Sequence, residues 1–392
     1  MADDVPADRG LLPLLALGIG ALLVAPGLAL VGSGPAVSDE TWRRTLAPAF
    51  LGLVGMVLAL RGGIRPSGRT VLLAVLAALP ALLLVAHGTP DRWPTSAIVP
   101  FASLLGTILL AGSVRTTDER ARAWTILGLA GAIAAAWTLV DPLLGRPAVG
   151  PFGRLGVAGP TFAALLAPAL LAGFAPALRR WGRARWLPVL LVAAALLATR
   201  SRTGIAAGVV GLWATSLVVF DGRLRDRLRL VGLCALAALL VLGSLVLAGT
   251  IPGGATLRVR VGLAKAAVQL AAERPLYGHG PEGFRGQVLR VRDPEEALLS
   301  KGRRPLAAHD DPLHVAAEAG IPAALGFLAL LGLGIAAAIR ATRAAGPTRA
   351  IAAVPLAVLS TTAISALGEN PFLALPTVLL SGLALGMGSA SR

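Results

Sequence analysis

Charge is scarce in this chain, and most of it has one sign. Only 14% of the 392 residues are charged, against about a quarter in an ordinary soluble domain. Basic residues number 36 and acidic ones 20, a net charge of +16. Lysine is almost missing: Lys265 and Lys301 are the only two, and arginine supplies the rest. The single cysteine, Cys234, lies inside an apolar run, which excludes an internal disulfide and a cysteine-based metal centre. Aromatic residues make up 4%, with one tyrosine, Tyr277. No stretch alternates apolar and polar residues over about ten positions, so a transmembrane β-barrel is excluded. No repeat of fixed period is present, which argues against a transporter built from two like halves.

What the chain has in abundance is apolar sequence. Hydrophobic residues are 56% of the total and mean hydropathy is +0.77. Runs of about 20 apolar residues recur along its length, as membrane-spanning helices require. The pattern predicts an all-α polytopic protein of about twelve spans, near 11–32, 45–61, 70–87, 96–114, 123–141, 160–178, 186–200, 203–220, 230–251, 320–339, 350–366 and 373–389. The seventh is short. The first has an acidic lead (Asp3, Asp4) and no clear small-residue cleavage site, so it reads as a retained span and not a signal peptide. Trp42, Trp93, Trp124, Trp181 and Trp186 fall near span ends, where tryptophan anchors helices at the membrane interface.

The net charge would suggest nucleic acid as a partner in a soluble protein. Here it marks topology. One set of alternate loops carries seventeen arginines, at 61, 65, 69, 115, 120, 122, 179, 180, 183, 185, 223, 225, 227, 229, 340, 343 and 349; the short loops of the other set carry seven, at 43, 44, 92, 146, 154, 200 and 202. The positive-inside rule makes the richer set cytoplasmic. Both termini are then cytoplasmic, and the one long polar interval is external. Three parts follow: 1–251 with nine spans, 252–319 as an external (periplasmic) loop with an amphipathic helix, and 320–392 with three spans.

The external loop holds both lysines and three of the four histidines, His279, His309 and His314. Loops held on a rigid scaffold are where function concentrates. Arg258 and Arg260 open a run whose Val261, Leu263, Ala267, Val268 and Leu270 suit a helix lying on a membrane surface. Gly278-His279-Gly280 reads as a tight turn, with His279 a turn residue. In His309-Asp310-Asp311-Pro312-Leu313-His314, the two histidines are five apart and diverge on a helix, unlike the spacing of a metalloprotease helix. Asp310 or Asp311 ahead of Pro312 suits a helix N-cap. That would leave His309 before the helix, placed to act as a base near neutral pH. Elsewhere, Arg200 and Arg202 flank Ser201 at the break between spans seven and eight. Two residues apart on a helix they point about 200° from each other, so one of them can face an outward cavity. There a guanidinium suits phosphate, or it simply snorkels to the interface.

The order of these pieces resembles the O-antigen ligase and O-antigen polymerase superfamily, which includes bacterial protein O-oligosaccharyltransferases. The resemblance rests on Ser201-Arg202, Arg260, Pro275-Leu276-Tyr277-Gly278-His279-Gly280 with Phe284, and His309-Asp310-Asp311-x-Leu313 with Glu318 and Gly320. It implies an inverting, metal-independent glycosyltransferase of GT-C type, without a cofactor, in the bacterial cytoplasmic (inner) membrane. The donor would be a glycan on undecaprenyl pyrophosphate, and the acceptor a hydroxyl of lipid A-core, another glycan or a protein. Arg202 and Arg260 would hold the pyrophosphate, with Arg200 and Arg154 as further candidates. His309 would activate or orient the acceptor hydroxyl, with Asp310, Asp311, His279 and Glu318 in support. Asp310 stands where the family usually has asparagine, and the segment Val149–Leu155 resembles a Gly-x-Phe-Gly-Asn motif without its asparagines.

Overall fold

The structure, a computed structural model, describes residues 67–88, 98–112, 116–152, 155–232 and 254–389. The expected spans 11–32 and 45–61, nearly all of 230–251, Arg154, Trp42, Trp93 and Cys234 lie outside the described residues. The other nine spans each coincide with a helix: α1 (Gly68–Val85), α2 (Ile98–Gly112), α3 (Thr117–Val140), α4 (Leu155–Phe174), α5 (Leu187–Ala198), α6 (Arg202–Val219), then, after the polar interval, α11 (Ile321–Ala344), α12 (Arg349–Ala366) and α13 (Leu375–Ser389). Among the described residues, seven helical segments are long and apolar enough to cross a membrane, and α2 and α13 are shorter apolar helices. This is the architecture of a polytopic helical membrane protein. The short seventh span has a visible cause. Its regular part, α5, has 12 residues, roughly 18 Å of rise. It is extended backward by a 3₁₀ stretch, Pro176–Trp186, that breaks at Gly182 (φ 55°, ψ −123°).

α4 and α13 form the centre. The α4 window is 89% buried, and every residue of α13 is buried. α1 and α3 instead leave large apolar side chains such as Leu72, Val75, Leu82 and Ile133 uncovered, the expected face toward lipid. α6 is held close by glycine. Gly204, Gly208 and Gly211 share one face with Ala207 and Thr215, all buried. A Cβ on Gly204 would lie 2.7 Å from the backbone of Gly159 on α4, and one on Gly211 would lie 2.1 Å from the hydroxyl oxygen of Thr361 on α12. Small residues at such positions let backbones approach where lipid supplies no hydrophobic drive.

The connections sort to two ends of the bundle, in the alternation that the arginine pattern predicts. At one end Thr70 bonds Ser389, and Arg349 bonds the Val219 carbonyl and Asp221. At the other, His87 bonds the carbonyl of Tyr277, Arg260 of the polar interval bonds Thr203 at the start of α6 and Glu369 between α12 and α13, and Gly156 at the start of α4 lies against Glu369.

That interval contains α7 (Ala255–Glu273), α8 (Gly283–Val291), α9 (Pro294–Leu299) and α10 (Asp311–Ala319). It has its own small core of Leu263, Ala266, Ala267, Leu270, Phe284, Val288, Ala308 and Ala317. The apolar face of α7 therefore packs mainly on protein, not on lipid; of its expected lipid-facing residues, only Val268 is well exposed. Trp124 is a second departure. It is fully buried, because α3 extends back to Thr117 and carries the ring into the bundle instead of leaving it at the interface.

Two sequence motifs form one clasp. The Pro275–Gly280 turn lies against the C-terminal end of α10: the amides of His279 and Gly280 donate to the carbonyls of Ala317 and Glu318 (2.9 and 2.8 Å), and the Ile321 amide donates to the Pro275 carbonyl (2.7 Å). Those α10 carbonyls have no partner within their own helix. Gly278 (φ 66°) and Gly320 (φ 91°) lie where a Cβ would be 2.4 Å from the opposing backbone. Gly204→Val should lower the melting temperature of the detergent-solubilised protein. Overpacking there costs about 1–3 kcal/mol, whereas Val209→Ala on the exposed face of the same helix should leave the temperature nearly unchanged.

Candidate functional site

The N-terminus of α6 is cut by its own chain. Arg200 adopts a left-handed conformation (φ 53°), Ser201 caps the helix by accepting from the Gly204 amide (3.1 Å), and Arg202 and Thr203 open the first turn. The close approach of Gly159 to Ser201 and Gly204 fixes this turn against α4. Arg202 is exposed and makes no hydrogen bond or ion pair among the described residues. Arg200 is likewise exposed.

Arg260 reaches out from the first half of α7. One terminal nitrogen donates to the Thr203 hydroxyl (2.8 Å), the other to Oε1 of Glu369 (2.7 Å). The second oxygen of Glu369 lies 3.3 Å from Nδ1 of His309. A guanidinium, a carboxylate and an imidazole thus form one chain, from three segments separated by 109 and 60 residues. Side-chain exposures are 30% for Arg260, 12% for Glu369 and 45% for His309. The carboxylate is the covered member and the imidazole the open one. Gly368 leaves room for the cluster: a Cβ there would be 3.0 Å from Thr203 and 3.3 Å from Arg260.

His309 has a left-handed backbone (φ 56°), uncommon for a residue with a side chain. Asp310, immediately after it, is the N-cap of α10, accepting from the Leu313 amide at 2.9 Å, with Pro312 in the first turn. The imidazole is therefore placed just ahead of a capped helix. Asp311 is buried and receives the Asn370 amide group (3.0 Å) and the Phe372 backbone amide (2.9 Å). It ties the loop carrying Glu369 to the helix that follows His309. Burial pushes its carboxyl up to about 8, while its two donors oppose the rise. Burial also raises Asp310, against the Leu313 amide.

The other expected residues lie elsewhere. His279 is buried against the Leu270 carbonyl (3.1 Å) beside Glu273 (3.6 Å), and burial lowers its pKa. Glu318 is buried at the far end of α10, accepting from the Phe284 amide (3.3 Å) and lying 3.6 Å from His314. Nine residues of helix, roughly 13 Å, run between His309 and that end. Both belong to the clasp that seats α10. Residue-by-residue reading passed over Glu369, Thr203 and Asn370. Glu369 carried a signal nonetheless: it is the only acidic residue after Glu318, in a short connection between two apolar helices.

The fold and this cluster define a class: a multi-pass helical membrane protein with an arginine–glutamate–histidine site at one end of the bundle. Residues 187–328 match the family model described as O-antigen ligase, and this match supports membership of the O-antigen ligase superfamily, a group of membrane glycan enzymes. The match takes in Arg202, Arg260, the glycine turn and His309 and ends before Glu369. None of the curated proteins matches the chain.

The raised Asp311 carboxyl carries a pH dependence with a definite sign. Its folded value lies above its unfolded one, so its contribution to stability is complete below about pH 4 and is lost as pH rises through about 8. The melting temperature in detergent should fall between pH 6 and 9, and Asp311→Asn should flatten that fall. Asp311→Ala should lower the temperature at every pH, since two buried donors lose their acceptor at about 1–3 kcal/mol each.

Proposed function

We propose that the protein is a membrane glycosyltransferase of O-antigen ligase type. It moves a glycan from undecaprenyl pyrophosphate to an acceptor hydroxyl, with inversion and without a metal, at the external face of the bacterial cytoplasmic membrane. The observation that carries this reading is the chain Arg260–Glu369–His309, with Arg202 next to the Thr203 that Arg260 also holds. Its parts come from the long polar interval and from connections on the same side as the arginine-poor short loops, which the positive-inside rule places outside. A GT-C-type arrangement follows: spans on either side, and the 252–319 segment over the outer end.

The chemistry assigns each group a task. Carboxylates accept, so the proton between Glu369 and His309 sits on Nδ1, and Nε2 offers its lone pair to the acceptor hydroxyl. A carboxylate in this position fixes the tautomer and stabilises the imidazolium that forms. The acceptor oxygen attacks the anomeric carbon as its bond to the pyrophosphate oxygen breaks, and the hydroxyl proton passes to Nε2. Charge then builds on the departing pyrophosphate, where fixed cations contribute most. Arg260 has five N–H donors; two bonds orient its plane, and the remaining donors are available to a phosphate. Arg202 is in the first turn of α6, where the helix dipole disfavours a cation and favours an anion. A phosphate bound between Arg202 and Arg260 resolves that conflict. Lipid A-core, a growing glycan and a protein all supply the required hydroxyl, so ligation, polymerisation and protein glycosylation share this mechanism.

Purified protein supplied with a lipid-linked oligosaccharide and candidate acceptors should form a product of the summed mass. His309→Ala should lower turnover by about 10²–10⁴, and Arg202→Ala and Arg260→Ala should abolish product at unchanged protein level. Glu369→Gln keeps an acceptor for Nδ1–H but loses the charge, so it should retain more activity than Glu369→Ala. Normal transfer by the histidine and both arginine variants would end this reading.

A further inference from the structure

A second site lies away from the Arg260–His309 cluster. Between the end of α1 and the 274–278 turn is an open cavity of about 560 Å³, walled by Leu83, His87, Arg274, Leu276 and Tyr277. Three observations about its wall stand out. Leu276 and Tyr277, the only tyrosine in the chain, are 62% and 60% exposed. They are not on a loose loop: the turn is bonded to α10 by two backbone hydrogen bonds, to the first residue of α11 by a third, and to the segment just past α1 through His87 Nε2 and the Tyr277 carbonyl (2.7 Å). Third, Arg274 is exposed and has no ion-pair partner among the described residues, because the adjacent Glu273 is taken by Arg290 in a two-pronged bond.

The surroundings indicate the occupant. α1 displays Leu72, Val75, Leu82 and Val85 outward, an apolar face left uncovered among the described residues that leads along the helix to this cavity. A ligand arriving from that side carries hydrocarbon below and polar groups above. An unpaired guanidinium at the top of an apolar wall is complementary to a phosphate group. An exposed aromatic ring beside it suits the boundary between tail and headgroup.

We propose that this cavity binds the phosphate-bearing headgroup of a membrane lipid, with Arg274 on the phosphate and Leu276, Tyr277 and the end of α1 against the first part of its chains. The site is distinct from the Arg260–His309 cluster. The turn occupies the far end of α10, roughly 13 Å of helix away from His309. The inference does not depend on the transferase reading, since it requires only a bilayer around α1.

The test uses the full chain in detergent, with dioctanoyl phosphatidic acid as probe and dioctanoyl glycerol as its phosphate-free counterpart, and bound lipid counted by native mass spectrometry. The wild-type protein should retain the phosphatidic acid and not the diacylglycerol. Arg274→Ala should weaken retention at least about tenfold, the loss expected for a hydrogen-bonded charge. Arg274→Lys should recover part of it, and Tyr277→Ala should weaken it where Tyr277→Phe does not. His309→Ala and Arg260→Ala should bind the probe like wild type. Equal retention of both lipids, undiminished binding by Arg274→Ala, or loss of binding in Arg260→Ala would each overturn the assignment. So would displacement of the probe by inorganic phosphate alone at millimolar concentration, which would make this a free-anion site.

Discussion

Glu369 is a carboxylate held between a guanidinium and an imidazole in a chain that is otherwise mostly apolar. A charge in such surroundings is costly unless paired and hydrogen-bonded. The pairing therefore constrains every segment that contributes to it. α7 must bring Arg260 across to α6, the connection before α13 must turn inward, and His309 must sit ahead of α10 in a backbone conformation it would not choose alone. Gly368 makes room beside Arg260 and Thr203, and the buried Asp311 ties two of the contributing segments together.

The clasp between the glycine turn and the end of α10 gives the same site its foundation. α10 has only nine residues, too few to be stable as an isolated helix. Its N-terminal end is capped by Asp310 and its C-terminal carbonyls are taken by the turn. An element secured at both ends can hold an unpacked side chain such as His309 in a defined position. The turn motif supports one end of α10 and the His-Asp-Asp box caps the other. Most of their residues are covered, and His309 alone of the box is exposed.

Burial within the polar interval follows the same economy. Arg292 and Glu296 pair out of solvent with Ser300 alongside, beneath Gly262 of α7, and Arg258, Lys265 and Glu273 engage partners at its surface. Arginines without such partners are therefore informative. Arg202 opens α6 beside Thr203, and Arg274 stands at the mouth of a cavity, and both lie at the end of the bundle that carries the polar interval.

Much of the fold was legible in the sequence. Apolar runs of about 20 residues admit few structures, and nine of the expected spans coincide with helices, although the ones expected at 123–141 and 160–178 begin earlier, at Thr117 and Leu155. The alternating arginine counts foreshadowed two ends, because each crossing of a bilayer reverses the chain. The cap at Asp310 was legible too, since capping is local. Tertiary structure alone decided what depends on partners distant in sequence. It covered the apolar face of α7 with protein, buried Trp124, turned His279 and Glu318 inward as supports, and joined Arg260 to Glu369 across 109 residues. Composition and period report how a segment meets its solvent. They carry no record of which distant side chain will neutralise a buried charge, and here that partner was a single glutamate in a connection of a few residues.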